Sequence, residues 1–260
     1  MSISYCVGGR FANNLIQYFA TKVLCRITNK EYKYKEITHD QRVIGDIEYI
    51  ELYNNIKENN TIIEGNILLN EFYQSKEWMF QERDYLISLV KIENEDRIND
   101  SYKVSDLARA LLEYNNTLSE DELIIHVRLD DYFHQGYNSD VIDPVSLMEY
   151  INTLCFKSHT IVCDSIRTDW EMKYIDKLLN NIPNSKVTTN SLLTDFCIMY
   201  YAKNIVLSRS TFSWMGPILS HHTEKSWFPL REVRLYPNQT IDSINDRTIN
   251  FTPKFLTSKY

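Results

Sequence analysis

The segment Leu123-Ile124-Ile125-His126-Val127-Arg128-Leu129 alternates along its length. As a strand it turns Ile125, Val127 and Leu129 to one face and His126 and Arg128 to the other. Asp130-Asp131-Tyr132 follows directly. A guanidinium beside an imidazole and a carboxylate is an anion- and hydroxyl-binding set, because Arg offers a fork of donors matched to phosphate. An Arg128–Asp131 ion pair beneath a loop accounts for the segment equally well. A second set is Ser208-Arg209-Ser210-Thr211-Phe212-Ser213-Trp214-Met215-Gly216, between a strand and a helix. Backbone N–H groups, hydroxyls and the helix dipole converge there on one point, as a phosphate cradle requires. An ordinary Ser/Thr N-cap is the plainer alternative. The third set, Gly8-Gly9-Arg10-Phe11-Ala12-Asn13-Asn14, again joins a strand to a helix and puts Arg10 and Asn13 at the helix N-terminus. It is neither a dinucleotide fingerprint nor a P-loop. Asp164 ends the strand Ile161-Val162-Cys163, and Asp195 lies in the first turn of a helix from Ser191. Each is a binding carboxylate or simply a cap.

The elements that must hold these residues are regular in the second half of the chain. Strands are expected at Leu123 to Leu129, His159 to Cys163, Lys186 to Thr188 and Asn204 to Ser208. Helices start at Asp143-Pro144, at Trp170 with Asp169 as its cap, at Ser191 and at Ser210. Strands separated by helices imply βαβ units and a parallel sheet, with ligands beyond the carboxyl ends of the strands. The first half opens with a strand, Ile3 to Val7, and a helix carrying Leu15, Phe19, Val23 and Ile27 on one face. Trp78 to Leu89 reads as one further helix face, and His221-His222 as a solvated loop. The polar stretch Asn115 to Glu122 sets a domain boundary, giving units 1–119 and 120–260.

The chain has 260 residues, 43% hydrophobic and 24% charged, with a net charge of −7. A net-acidic surface exerts no long-range pull on nucleic acid or anionic lipid, so neither is an expected partner. The five cysteines (Cys6, Cys25, Cys155, Cys163, Cys197) are odd in number and lack CxxC spacing. They read as small buried thiols in a reducing compartment. No apolar run is long enough to span a membrane and no leader precedes the first strand, so a cytoplasmic protein is expected.

Gly9-Arg10-Phe11-Ala12-Asn13-Asn14-Leu15-Ile16-Gln17-Tyr18 resembles the G-R-[FL]-G-N-Q-[ML]-x-Q-Y opening of the α-1,2-fucosyltransferases. His126-Val127-Arg128-Leu129-Asp130-Asp131-Tyr132 is similar to their H-x-R-R-x-D-Y motif. Asp195 to Gly216, with Asn204-Ile205-Val206 and Ser210 to Gly216, is similar to their block ending S-S-F-S-W-W-G. The three segments come in the family's order, while residues 30 to 115 match loosely. Leu129 stands where the motif has a second Arg, Ala12 where it has Gly, and Asn14 where it has Gln.

The resemblance implies an α/β, GT-B-like fold of two Rossmann-like domains facing across a cleft, with the acceptor side N-terminal and the GDP-sugar side C-terminal. It implies an inverting transfer of L-fucose from GDP-fucose to a glycan hydroxyl, most naturally α-1,2. Another GDP-deoxyhexose, such as GDP-rhamnose, and a non-catalytic glycan- or nucleotide-binding role stay open. Carried over, Arg128 faces the departing diphosphate, with Arg10 and Asn13 assisting. His126 and Asp195 contact the nucleoside, Asp195 suiting the N1–H and amino donors of guanine. Ser210, Thr211, Phe212 and Ser213 cradle the phosphates, and Asp131 and Asp164 orient Arg128 and the loops. No metal or other cofactor is expected, because no convincing D-x-D is present and Arg128 with the helix from Ser210 can meet the developing charge. His134 and Asp131 are the candidates for the base.

Overall fold

The computed structural model describes residues 1–38, 40–115, 118–129, 140–230 and 248–256. It divides into two compact units, one formed by Met1–Leu112 and the other beginning at Glu113. The division falls in the last turn of the helix Val104–Glu113, ahead of the polar stretch that composition singles out.

The first unit opens with β1 (Ser2–Tyr5) and α1 (Phe11–Thr28), followed by β2 (Glu31–Tyr32), β3 (Arg42–Ile44), α2 (Asp46–Asn59) and β4 (Ile67–Leu69). Helices α3 (Lys76–Gln81), α4 (Arg83–Leu89) and α5 (Val104–Glu113) complete it. The strands form a parallel sheet in the order β2-β1-β4-β3. Leu15, Phe19 and Val23 are buried as the helical period demands, and Asn29 ends α1 in the left-handed conformation that Asn tolerates. The single helix expected over Trp78 to Leu89 is two helices, broken at Glu82. Glu82 turns inward, accepts from the Tyr53 hydroxyl at 2.7 Å and pairs with Lys57 at 2.9 Å and with Arg26. A buried carboxylate held by two cations outweighs continuing the helix.

The second unit runs β5 (Glu122–Val127), α6 (Pro144–Ile151), β6 (Ser158–Cys163), α7 (Asp169–Asn181), β7 (Ser185–Thr188), α8 (Leu192–Tyr201), β8 (Asn204–Val206), α9 (Thr211–Leu219), β9 (Lys225–Pro229) and β10 (Thr248–Phe251). All its strands are parallel, in the order β10-β9-β8-β5-β6-β7. Counted from β5, that is the 3-2-1-4-5-6 order of the doubly wound Rossmann sheet. The chain is an α/β protein with two Rossmann-like parallel sheets.

Ile125, Val127 and Leu129 face a core shared with Leu147, Ile151, Tyr174 and Leu178 of α6 and α7. Asp143 caps α6, accepting from the N–H groups of Val145 and Ser146, with Pro144 at the first helical position. For α7 the cap is Thr168 rather than Asp169. Its hydroxyl accepts from Glu171 N–H, and the Glu171 carboxylate accepts from Thr168 N–H, a capping box that Asp169 has no partner to build. Cys25, Cys163 and Cys197 are buried, whereas Cys155 is exposed and Cys6 lies between; all five are free thiols. Burial pushes the Cys163 thiol up to about 12 and the Cys197 thiol up to about 11.

Candidate functional site

In the second sheet the chain winds outward from β5 through β6 to β7, then returns to place β8 on the other side of β5. Connections on the two sides lie on opposite faces, which opens a crevice beyond the carboxyl ends of β5 and β8, where such sheets bind ligands. His126 comes from the end of β5 and Ser208 from the turn after β8. They meet there, with His126 Nδ1 2.7 Å from Ser208 Oγ. The imidazole is buried and its ring centroid lies 6.0 Å from that of Phe212. Burial, together with the Arg128 guanidinium beside it, pushes His126 down to about 3. The ring is therefore neutral at physiological pH, and the cationic charge beside it is that of Arg128, which is half-buried.

The turn from β8 into α9 uses most of its own polar groups. Ser210 is the N-cap, its hydroxyl accepting from Phe212 N–H at 3.3 Å. Ser213 is fully buried, and its hydroxyl lies 3.0 and 2.9 Å from the carbonyls of Ser208 and Ser210. Trp214 Nε1 also donates to the Ser208 carbonyl, at 3.0 Å. Ser213 thus supports the turn from beneath, its hydroxyl engaged by carbonyls of the turn itself. Thr211 and Phe212 are half-buried in the first turn of α9. A long 3.3 Å cap is one that a ligand oxygen can displace. Gly216 lies further along α9, where a Cβ would come within 3.0 Å of Met199 Cβ and 3.1 Å of the α8 backbone. Only glycine lets the two helices approach this closely.

Asp195 is buried in the first turn of α8 and accepts from Asn190 Nδ2 at 2.8 Å. Burial raises its carboxyl above the usual range; the Asn190 hydrogen bonds oppose this and the charge of Asp164 adds to it. Asp164, at the end of β6, is more exposed, accepts from Ser165 N–H at 2.8 Å and lies 3.8 Å from Arg167. Phe196, next to Asp195, packs edge-on against Phe212 at 5.9 Å, which ties the first turns of α8 and α9 together. Asp131 and His134 lie outside the described residues, as does any Arg128–Asp131 pair. Leu129 is buried in the core on the α6–α7 face. It lies just past β5 and packs with Ile125 and Val127, which leave the strand opposite to His126, so the departure from the motif falls in the core and not beside His126.

In the first unit, the loop from β1 to α1 carries Gly9 in the left-handed region at φ 73°. Arg10 is exposed at the N-cap of α1 and makes no side-chain cap. Asn13 is half-buried and accepts from Gln74 Nε2 at 3.3 Å. Asn14 is buried, donating to Gly8 O at 2.6 Å and to Gln17 Oε1 at 3.2 Å, while Gln17 donates to Glu71 O at 2.9 Å. Tyr18 donates to Asp96 at 3.0 Å. Asn14 and Gln17 therefore hold the loop, whereas the Arg10 side chain is exposed.

Asn190 and Phe196 join the site without a signal in the sequence. Ser208 and Arg209 belong to the segment between β8 and α9 that the sequence points to, and Arg209 Nε donates to Asp140 at 2.9 Å in a nearly buried ion pair. Asp140 carries no such signal.

No family model matches the chain. Among curated proteins it is similar to the O-antigen biosynthesis glycosyltransferase WbnK of Escherichia coli, with 25% identity over 192 residues, 70% of this chain and 59% of that protein. The chain therefore spans less than two thirds of that relative's length. Among the described residues no group of three or more His, Cys, Asp or Glu could hold a metal ion, and no helix is long and apolar enough to cross a membrane.

Proposed function

We propose that the chain is a glycosyltransferase that builds a glycan and binds its activated sugar beyond β5 and β8. The observation that carries this reading is the His126–Ser208 hydrogen bond at the switch of strand order, with Arg128 beside it and the first turn of α9 facing it. The similarity to an O-antigen glycosyltransferase supports the same class.

The finer reading is an inverting transfer of L-fucose from GDP-fucose to a glycan hydroxyl, following the resemblance to α-1,2-fucosyltransferases. As the anomeric bond breaks, negative charge gathers on the diphosphate. A fixed cation and backbone donors aimed there lower the barrier most. Arg128 is that cation and the N–H groups of Thr211 and Phe212 are those donors. Neutral His126 holds Ser208 and one side of the pocket without adding charge. Asp195 accepts from guanine, with Asn190 fixing its carboxylate. Arg128 and α9 meet the charge without a metal. Arg10 and Asn13 serve the acceptor.

The test is nucleotide release over a panel of GDP-fucose, GDP-rhamnose, GDP-mannose and UDP-sugars, with mixed small glycans as acceptors and with or without EDTA. GDP-fucose is expected to lead and EDTA to leave the rate unchanged. Release from UDP-sugars alone would overturn the donor assignment. Loss with EDTA and recovery with Mn²⁺ would overturn metal independence.

A further inference from the structure

A second patch lies at the carboxyl ends of the paired strands β1 and β4 in the first unit, and it is built around Phe72. This ring is 40% exposed, while the next three residues, Tyr73, Gln74 and Ser75, are all buried. A lone exposed aromatic is common and needs no explanation. This one is held outward by a loop with very little freedom. Tyr73 N–H donates to Asp46 Oδ1 at 2.7 Å, and Tyr73 Oη donates to Ile44 O at 2.6 Å. Its carbonyl accepts from Trp78 Nε1 at 2.9 Å. On the other side of Phe72, the Glu71 carbonyl accepts from Gln17 Nε2 at 2.9 Å and its carboxylate from Asp46 N–H at 2.8 Å. Tyr73 is also held at φ 55°, a region that bulky residues rarely occupy.

The ring borders polar groups of matching kind. A Cβ placed on Gly9 would fall 3.1 Å from Phe72 Cε1 and 2.5 Å from Asn13 Nδ2, so ring, glycine backbone and amide are contiguous. Gly9, at φ 73°, keeps the ring's edge uncovered. Gln74 Nε2 donates to Asn13 Oδ1 at 3.3 Å, which joins a second amide to the patch. The patch thus combines a flat apolar face with a negative quadrupole and a neutral amide, Asn13, which buried Gln74 holds in place. A pyranose ring has the complementary form: a face of weakly positive C–H groups and a rim of hydroxyls.

We propose that Phe72, with Asn13 positioned by the buried Gln74, forms a saccharide platform on which a pyranose of the acceptor glycan stacks. The substrate class rests on the glycosyltransferase reading, whereas the platform rests on the geometry of the first unit alone.

The experiment uses the full chain and methyl pyranosides of glucose, galactose, mannose and N-acetylglucosamine, followed by saturation-transfer NMR and titration. At least one glycoside should bind, with saturation strongest on the C–H protons of one ring face. Phe72→Ala should weaken it roughly tenfold, while Phe72→Trp retains it, with thermal melts confirming that both variants fold. The proposal is overturned if no pyranoside binds the wild type, if Phe72→Ala binds as the wild type does, or if GMP displaces the sugar from Phe72. Binding of glycoside with no turnover of any sugar nucleotide would sink the glycosyltransferase reading and leave the platform standing. Turnover with an acceptor KM indifferent to Phe72→Ala would do the reverse.

Discussion

The two strand-to-helix turns that carry the motifs, Gly8 to Asn14 before α1 and Ser208 to Ser213 before α9, spend their polar residues differently. Before α9 the side chains are locked into the fold. Ser213 and Trp214 hold the Ser208 carbonyl, Ser208 holds His126, and Ser210 caps the helix. Burial weighs on ionisable groups there, with neighbouring charge adding to it, as the depressed His126 and raised Asp195 record. Before α1 the labour is split. Asn14 and Gln17 are buried and fasten the loop, while Arg10 and Phe72 face solvent. Charge-driven chemistry suits a rigid, partly desolvated turn, because preorganised charges act most strongly where water is excluded. Recognition of a neutral, hydroxylated ligand suits an open one.

Exchanging the arginines tests that contrast most severely. Arg128→Ala should leave a folded protein whose kcat on the GDP-sugar drops at least ~10²-fold, the scale for removing one donor at developing charge. Arg10→Ala should act mainly on KM. Equal losses in kcat from both variants would break the contrast.

Asp195 comes next. Asp195→Asn should weaken GDP binding roughly ten- to a hundredfold, since a buried polar group left badly paired costs about 1–3 kcal/mol. UDP and ADP should remain poor ligands of both forms in calorimetry. The carboxyl is raised in the folded protein, so its ionisation at neutral pH costs stability. Asp195→Asn should therefore melt no lower than the wild type at pH 7, and GDP affinity should fall on acidification from above the usual carboxylate range. A large loss of melting temperature would make Asp195 a structural cap.

His126 gives a smaller signal with a definite sign. Its pKa is near 6.5 when unfolded and about 3 when folded, so the unfolded chain binds the extra proton first as pH falls. This group's stabilisation is present above pH 6.5 and declines between about 6.5 and 3, by about 1.4 kcal/mol per pH unit. His126→Gln should have a shallower acid slope in denaturant titrations, and the wild-type imidazole should show no NMR titration between pH 8 and 5. A midpoint near 6.5 would mean that Arg128 and burial do not act on it as the geometry states.

The mildest test concerns the supports. Ser213→Ala and Asn14→Ala should each cost about 1 kcal/mol of stability, the net worth of a buried hydrogen bond, with nucleotide affinity unchanged. A selective fall in GDP binding by Ser213→Ala would return that hydroxyl to the phosphate site.

The second unit was legible from β5 to α9 because short apolar strand segments there alternate with helices that start with recognisable signals, Asp143-Pro144 and Ser191 among them; β9 and β10 were not foreseen. Helix α7 misled by one residue, because Asp169 fits a cap until Glu171 is seen to reach back to Thr168. The first unit was hard to read. Strands of two or three residues, Glu31–Tyr32 and Arg42–Ile44, have no room for a period. The buried face of α2 is Tyr49, Leu52, Tyr53 and Ile56, half of it tyrosine, whose hydroxyls blur the hydropathy pattern. Within the site, sequence pointed to His126, Arg128 and Asp195 by type and place. It gave no sign that Ser213 is consumed by the fold or that Phe72 is turned outward, since both depend on contacts between segments distant in the chain.

Gly216 gives the α8–α9 pair the character of a gauge. The absent side chain seats α9 against Met199 at one end, and the Phe196–Phe212 contact fastens the other. The span from Asp195 to the first turn of α9 is then fixed by the protein. On the proposed function, base and diphosphate are measured against that span together, so a nucleotide of the right chemistry but the wrong reach is refused. Widening the gauge with Gly216→Ala should therefore relax the choice of base before it abolishes binding.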